Sequence, residues 1–388
     1  MNPSHRKIKV GVVGPSWPFR GGIAKFTTEL AEKLSEKGHL STLISPRRQY
    51  PRLFFPGKID RDKKSCKKLT LRRSVYSYYE PWTWREVIRE IKSSDADCIV
   101  APHWTVASAP FLAYLIRRSP KPVIPIVHNF SDHDSFIGSR RVSEWTLKGG
   151  VGFLHHNPEF SKLRFFKKRR RQVVCQMHPV SKVSSLQAQF ARKKLGVPEG
   201  IVTFLFYGLI RPYKGLDVLF KAIHLLPKEL KVGFLIAGEP WTKHDHIKAE
   251  IKKLSKKFWI GHQLNWISEK DTPLWFSAAD AVVLPYIKAT GSGVAAQAFA
   301  FQKPILTTQT GSLEHLVKDG VNGLISKPGS PEELAEKIEK FLDPKLRAEL
   351  TSGMINSPKE SWEKYVESLV SLAERSVWNR AIPENYLH

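Results

Sequence analysis

The stretch Val202-Thr203-Phe204-Leu205-Phe206-Tyr207-Gly208-Leu209-Ile210-Arg211-Pro212-Tyr213-Lys214-Gly215, continuing through Leu225, decides how this chain of 388 residues is read. Val202 to Tyr207 is rich in aromatic and β-branched side chains and is closed by a glycine, which predicts a strand. Gly215 to Leu225 has the apolar spacing of a helix. Between them lies a short loop with two cations, Arg211 and Lys214, next to a helix N-terminus. Charge-assisted contacts and the helix dipole add at such a place, so it makes a clamp for a diphosphate; a solvent-facing loop is the plainer alternative.

The same strand, loop and helix alternation extends in both directions. Downstream, Lys231 to Ala237, Ala281 to Pro285 and Pro304 to Thr307 predict strands, and Val294 to Phe301 a helix. Ser330-Pro331-Glu332-Glu333 reads as a helix start, with a serine cap and a glutamate at the capping-box position. Upstream, Lys9 to Val13, Ser41 to Ser45, Cys98 to Ala101 and Pro122 to Val127 predict strands, with helices over Gly21 to Gly38 and Glu86 to Ile91. Two doubly wound α/β domains with an intervening cleft follow, over 1–180 and 200–360, divided in the less regular stretch Pro179 to Gly200. Open α/β sheets bind ligands just beyond the carboxyl ends of their strands.

Two more loops occupy such positions. Gly14-Pro15-Ser16-Trp17-Pro18-Phe19-Arg20-Gly21-Gly22-Ile23 follows the first strand, and its paired glycines let backbone N–H groups approach an anion. It matches neither the dinucleotide fingerprint nor the P-loop. Ala289-Thr290-Gly291-Ser292-Gly293-Val294-Ala295-Ala296-Gln297 follows Val282 to Pro285, and its small residues predict an anion nest at a helix start, flanked by the Thr290 and Ser292 hydroxyls. The competing readings are a tight turn for the first loop and close helix-to-sheet packing for the second.

The charge is unusual. Lysine and arginine number 62 against 36 acidic residues, a net +26, with 34 basic and 14 acidic up to Val180 and 28 and 22 from Ser181 onward. Arg47 to Arg73 holds eleven basic residues against Asp60 and Asp62, and Lys162 to Arg171 holds seven with no acid. A polyanionic partner is expected, anionic lipid headgroups or nucleic-acid phosphate, against the alternative of a solvated basic face. Phe165 and Phe166 read either as the apolar wedge of an interfacial anchor or as core. Cys66, Cys98 and Cys175 are odd in number and lack paired spacing, which fits a reducing compartment, so a cytoplasmic protein is expected. No stretch approaches the ~20 apolar residues that cross a bilayer, and Met1 to Gly14 has no signal-peptide pattern.

With these residues in view, the chain resembles the GT-B glycosyltransferases of the retaining family 4, the group 1 transferases. The likeness is carried by Gly208 to Leu219, by Phe276-Ser277-Ala278-Ala279-Asp280-Ala281-Val282-Val283-Leu284-Pro285-Tyr286, and by Lys303 to Leu313 with Asp319 to Leu324. It implies that the second domain binds a sugar nucleotide, a UDP- or GDP-hexose, and the first a hydroxyl acceptor. The last helix would cross back onto the first domain with Trp362 as packing anchor. The resemblance further implies that Arg211 and Lys214 hold the donor diphosphate and that Gly21 and Gly22 close over the phosphates. Gly208, Thr290, Gly291, Ser292, Gly293, Val294 and Gln297 would line the donor, and His128 the donor sugar, with a catalytic role. No obligate metal is implied.

The sequence departs from the family at its Glu-x7-Glu motif, which falls on Ala289 and Gln297. Alanine cannot contact sugar hydroxyls, whereas Gln297 can still hydrogen-bond a ribose. This points to altered donor recognition, with an inactive scaffold that binds a polyanion as the alternative. The basic first domain points to a lipid-linked or otherwise anionic acceptor at a membrane surface, as in cell-envelope polysaccharide or glycolipid assembly, with nucleic acid disfavoured. Asp95-Ala96-Asp97 reads as an acidic turn before a strand and His155-His156 as a polar loop, rather than as metal ligands. Asn129, His133 and Asp134 are weaker candidates for acceptor contacts.

Overall fold

Parallel strands assemble as two separate sheets, each within its own compact unit: Met1–Met177 with Glu360–His388, and His178–Lys359. The computed structural model describes residues 6–49, 60–62, 72–130, 138–169, 172–181, 183–241, 245–357 and 361–378.

Unit 1 carries seven strands, β1 (Val10–Val13), β2 (Leu40–Arg48), β3 (Arg72–Ser77), β4 (Cys98–His103), β5 (Val123–Val127), β6 (Phe153–His155) and β7 (Val173–Cys175). They pair in the order β3-β2-β1-β4-β5-β6-β7, all parallel. Its helices are α1 (Gly22–Glu36), α2 (Trp84–Ser93), α3 (Ala109–Arg118), α4 (Ser139–Leu147), α5 (Pro158–Ser161) and α6 (Arg164–Lys167). Helices α2 to α6 bury their apolar sides on one face of the sheet. The other face is covered by α1 and by the C-terminal helix Trp362–Trp378. That helix buries Trp362, Tyr365, Val366, Leu369 and Leu372, and the Trp362 and Tyr365 rings lie 5.4 and 5.6 Å from Phe26 of α1.

Unit 2 has six parallel strands, β8 (Val202–Tyr207), β9 (Val232–Ala237), β10 (Trp259–Gln263), β11 (Ala281–Leu284), β12 (Ile305–Thr308) and β13 (Gly323–Ser326), in the order β10-β9-β8-β11-β12-β13. Around them lie α7 (Ala188–Leu195), α8 (Leu216–Leu225), α9 (Asp245–Leu254), α10 (Thr272–Ala278), α11 (Gly293–Ala300), α12 (Leu313–Leu316), α13 (Pro331–Phe341) and α14 (Pro344–Asn356). Apolar residues fill both faces of this sheet. Asp280 ties its start together, accepting from the Thr203 amide at 2.7 Å and pairing with Arg192 at 3.1 Å.

Two expectations change, and one open alternative is decided. The stretch Pro179 to Gly200 is not irregular throughout, because α7 lies inside it and ends at Gly196. His155-His156 is no polar loop: His155 ends β6, and both rings are buried. Phe165 and Phe166 belong to the core, packed against Phe130 and Phe153, so they are not a wedge for lipid. Parts of the basic cluster Arg47 to Arg73, together with Arg170 and Arg171, lie outside the described residues. No helix among the described residues is long and apolar enough to cross a membrane.

Because Trp362 joins the C-terminal helix to α1 through ring contacts, Trp362→Ala is expected to cost about 3–5 kcal/mol, the usual range for deleting a large buried aromatic. Urea unfolding followed by a unit 1 probe measures this; a loss well under 1 kcal/mol would show that the helix is held by other contacts.

Candidate functional site

At the carboxyl edge of the unit 2 sheet, three loops are locked into one another. The chain leaves β8 at Tyr207 and turns at Gly208, where φ is 94°. Ile210 then bridges to the loop after β9: its amide donates to the Glu239 carbonyl at 2.9 Å, and its carbonyl accepts from the Trp241 amide at 3.1 Å. The bridge sets the Trp241 ring against Arg211, whose guanidinium carbon stands 3.9 Å from the ring centroid. A single 3-10 turn, Pro212–Lys214, follows, and Gly215 begins α8 with φ at 70°. A Cβ on Gly215 would lie 1.9 Å from the Pro285 carbonyl oxygen, so only glycine lets the loop after β11 come this close. The Ile287 amide adds a bond to the Tyr213 carbonyl at 2.8 Å.

This arrangement buries the ammonium of Lys214. The residue is 9 % exposed, and among the described residues it has no hydrogen-bond or ion-pair partner. Its nitrogen sits 5.7 Å from the centre of the Tyr286 ring and 3.3 Å from the place a Gly208 side chain would begin. Desolvation, with repulsion from Arg211 added, pushes its pKa down to about 8. A buried cation without a counter-charge is costly, and an anion arriving beside it would remove that cost.

The loop after β11 supplies the complementary dipoles. Ser292 caps α11, its hydroxyl oxygen accepting from the Ala295 amide at 3.1 Å. The Ser292 oxygen is thus committed to the cap, and it also lies 3.4 Å from the Tyr286 hydroxyl. Gly293 and Val294 open the helix, where amides have no intrahelical acceptor. The Val294 side chain stands 3.3 Å from the same Gly208 position that Lys214 approaches, so Gly208, Lys214 and the start of α11 converge. Gln297 lies one turn farther along, half-buried. The Ala289 amide donates to the Thr310 hydroxyl at 3.2 Å, which holds the loop that carries Thr290 and Gly291. Nearby, the buried Ser312 hydroxyl has no partner among the described residues and lies 3.8 Å from the place a Gly291 side chain would begin.

In unit 1, Gly21 precedes α1 with φ at 108°, and a Cβ on Gly21 or Gly22 would meet nothing within 4 Å. Helix α1 also carries Phe26, whose ring lies edge-on to His128 at 4.7 Å. His128 follows β5, donates its amide to the His103 carbonyl at 2.9 Å, and lies 4.6 Å from the His156 ring. His156 Nδ1 is 3.0 Å from the Gln176 carbonyl, and the Gln176 side chain accepts from Ser368 of the C-terminal helix at 3.0 Å. Two neighbouring histidines are structural: burial pulls His103, beside Ser143, and His155, beside Ser161, down to pKa values of about 4. Asn129 donates to the Trp104 carbonyl at 2.8 Å, while His133 and Asp134 lie outside the described residues. Asp97 accepts from the Lys9 amide and from Arg6, both at 2.8 Å, and Asp95 accepts from Ser41. Among the described residues, no group of three histidine, cysteine or acidic side chains converges as a metal site.

Sequence reasoning missed Trp241 and Tyr286 as site residues. Both stand just beyond the carboxyl ends of strands, β9 and β11, where the rule already applied to the other loops would have found them.

Comparison with known proteins agrees with this architecture. Residues 187–357 match the family model described as Glycosyl transferases group 1, and residues 20–205 match Glycosyltransferase Family 4. The D-inositol 3-phosphate glycosyltransferase of Thermomonospora curvata is 27 % identical over 195 residues, 48 % of this chain and 45 % of that protein. The chain thus spans about half the length of the curated relatives it matches. Among solved structures, the sucrose-phosphate synthase of Thermosynechococcus elongatus superposes with a TM-score of 0.74 at 16 % identity, covering 96 % of this chain and all of that one. Anabaena HepE in complex with UDP and glucose superposes at 0.72 and 17 %, covering 94 % of this chain and 100 % of that one. At such identities the likeness establishes the fold.

The depressed Lys214 pKa has a consequence for stability. The folded protein bears the penalty in full below pH 8 and sheds it as the pH rises toward 10.5, the value of a free lysine. The shift corresponds to about 3 kcal/mol at neutral pH. Lys214→Met is therefore expected to raise the unliganded melting midpoint at pH 7 by several degrees, roughly 2–4 °C for each kcal/mol, and to lose this advantage near pH 10.5. A midpoint that does not rise at pH 7 would mean that the ammonium is already compensated.

Proposed function

The chain belongs to the group 1, family 4 glycosyltransferases of GT-B fold, and on that premise we propose that it moves a hexose from a nucleotide diphosphate sugar to a hydroxyl acceptor with retention of configuration. The observation that carries the reading is the buried, unpartnered Lys214 beside Arg211, facing the start of α11. These groups suit a diphosphate: two cations and free helix amides answer its charge, and the charge grows as the bond to the anomeric carbon breaks. Electrostatic stabilisation of the leaving group supplies most of the catalysis. The acceptor oxygen bonds to the anomeric carbon as the sugar–phosphate bond breaks, and the departing phosphate oxygen takes the acceptor proton. The products are the glycosylated acceptor and the nucleoside diphosphate. No metal is required in this scheme, because Arg211 and Lys214 provide the positive charge.

Gly208, Gly291, Gly293 and Val294 are assigned to the phosphates, Gln297 to the ribose, and Thr290 and Ser292 to the loop around them. In unit 1, Gly21, Gly22 and His128 are the assigned substrate contacts. UDP and GDP sugars are the donors to try first, a choice supported by the UDP and glucose of the HepE complex. Unit 1 is assigned to the acceptor. Its excess of basic residues suits a lipid-linked or anionic acceptor at an anionic membrane surface on the cytoplasmic side, in envelope polysaccharide or glycolipid assembly. Ala289, where the family carries a carboxylate, favours a second reading in which donors bind without turnover.

Titration calorimetry with UDP and GDP tests the assignment. Binding needs protonated Lys214, so affinity should fall about tenfold per pH unit above a pH of about 8. Lys214→Arg should flatten that dependence and Lys214→Ala should abolish most of the binding. Affinity that is indifferent to pH and to both substitutions would remove Lys214 from the site. Donor binding with no glycosylated product from any acceptor would favour the second reading.

A further inference from the structure

The outer side of α4 in unit 1 carries a basic and aromatic surface unused by the scheme above. Arg117, Trp145 and Arg169 lie at or just beyond the C-terminal ends of α3, α4 and α6, and Arg141 lies in the first turn of α4. Arg141, Glu144, Trp145 and Lys148 are spaced three, four and seven apart, which puts them on one side of α4 and its last turn. Together with Phe165 and Arg169 they line a shallow, open depression of about 340 Å³.

The charges here are arranged in layers. Glu144 is taken up by Arg140 at 3.3 Å. The Arg117 guanidinium carbon stands over the Trp145 ring, 4.2 Å from its centre, and the same group donates to the Trp145 carbonyl at 2.8 Å, while the Arg169 guanidinium carbon stands 4.1 Å from the centre of the Phe165 ring. Arg141 and Lys148 are exposed and have no acidic partner among the described residues. Trp145 itself is 56 % exposed, although Phe165 beside it is buried. The result is one large amphipathic ring standing out of a field of cations above an apolar floor.

We propose that this face of α4 and α6 docks unit 1 onto an anionic phospholipid bilayer, with Trp145 entering the headgroup layer and Arg141, Lys148 and Arg169 meeting lipid phosphates. It rests on the membrane-surface reading given above and narrows it to one face. A tryptophan ring with cations beside it suits the headgroup region, where one end of the ring is apolar and the other wet. A single-stranded nucleic acid would instead call for a row of aromatic platforms along a groove, and Trp145 stands with one face already covered by Arg117.

Flotation of the full chain with vesicles of phosphatidylcholine, alone and with phosphatidylglycerol admixed, tests this. The wild type should float only with the anionic vesicles. The double variant Arg141→Glu, Lys148→Glu should lose about tenfold or more in partitioning, whereas Lys193→Glu, Lys194→Glu on unit 2, an equal charge change, should keep most of it. Trp145→Phe, which keeps the fold and the charge, should lose the quenching of tryptophan emission by brominated lipid seen with the wild type. If the wild type floats with neither vesicle, the membrane reading itself falls. If it floats and the α4 variants float equally well, the membrane reading stands and this face is wrong. Binding to a single-stranded oligonucleotide that the α4 variants abolish, without vesicle binding, would overturn the proposal in favour of nucleic acid.

Discussion

The carbonyl of Pro285 occupies the space that a side chain on residue 215 would need, and much of unit 2 depends on that contact. It draws the loop after β8 onto the loop after β11, across adjacent strands of the sheet. With the two loops pressed together, Lys214 is left 9 % exposed, its ammonium 5.7 Å from the centre of the Tyr286 ring and 3.3 Å from the Gly208 position. A basic side chain on a free loop would be hydrated at no cost and would gain little by meeting a phosphate. Here the fold has already removed the water, so the favourable term is released only when an anion arrives. The site is therefore a property of backbone packing first and of charge second.

The extent to which this was legible in the sequence follows the same division. Strands buried on both faces, such as Val10–Val13, Val123–Val127 and Val202–Tyr207, announce themselves as apolar runs. Arg72–Ser77, Trp259–Gln263 and Val173–Cys175 do not, because edge strands are half solvated and carry polar or few residues. The Ser330 cap was readable, since a serine three residues before a glutamate is a local signal, and its hydroxyl accepts from the Glu333 amide. The reciprocal half of that motif was not, for the Glu333 carboxylate takes the Lys327 amide instead. In the site, Arg211 and Lys214 stood out by charge and position. The Trp241 stack and the depth of the lysine did not, because both arise from pairings between loops about 30 or 70 residues apart in the chain, which no local pattern encodes.

Unit 1 shows why a residue type alone assigns little. Four histidines, His103, His128, His155 and His156, crowd the carboxyl ends of β4, β5 and β6. Two of them are held near pKa 4 by burial and bond to serines, so at neutral pH they are uncharged spacers between helices and sheet. The arginines of the same unit behave in the opposite way. Arg117 and Arg169 are spread over aromatic rings and bonded to helix carbonyls, which fixes their charge at the ends of helices whose dipoles welcome it. Net charge alone therefore overstates the free field of this unit, because part of it is already committed to rings and carbonyls.

Ala289 bears on what the proposed donor site can recognise. Its amide is fixed by Thr310, and the Gly311 position is in contact with its carbonyl, so the backbone of the loop is set independently of the side chain. A carboxylate there would add a negative group to a loop that leads into the start of α11, where the dipole and Lys214 both favour anions. A methyl group in that place leaves the backbone of the loop as it is and offers a sugar hydroxyl no acceptor. Discrimination among sugars that rests on such an acceptor is worth far more than discrimination by shape, because a polar site left unpaired is penalised and an apolar one is not. On the proposed reading, a loop built this way holds a nucleotide diphosphate through backbone amides and cations and reads its sugar mainly by shape.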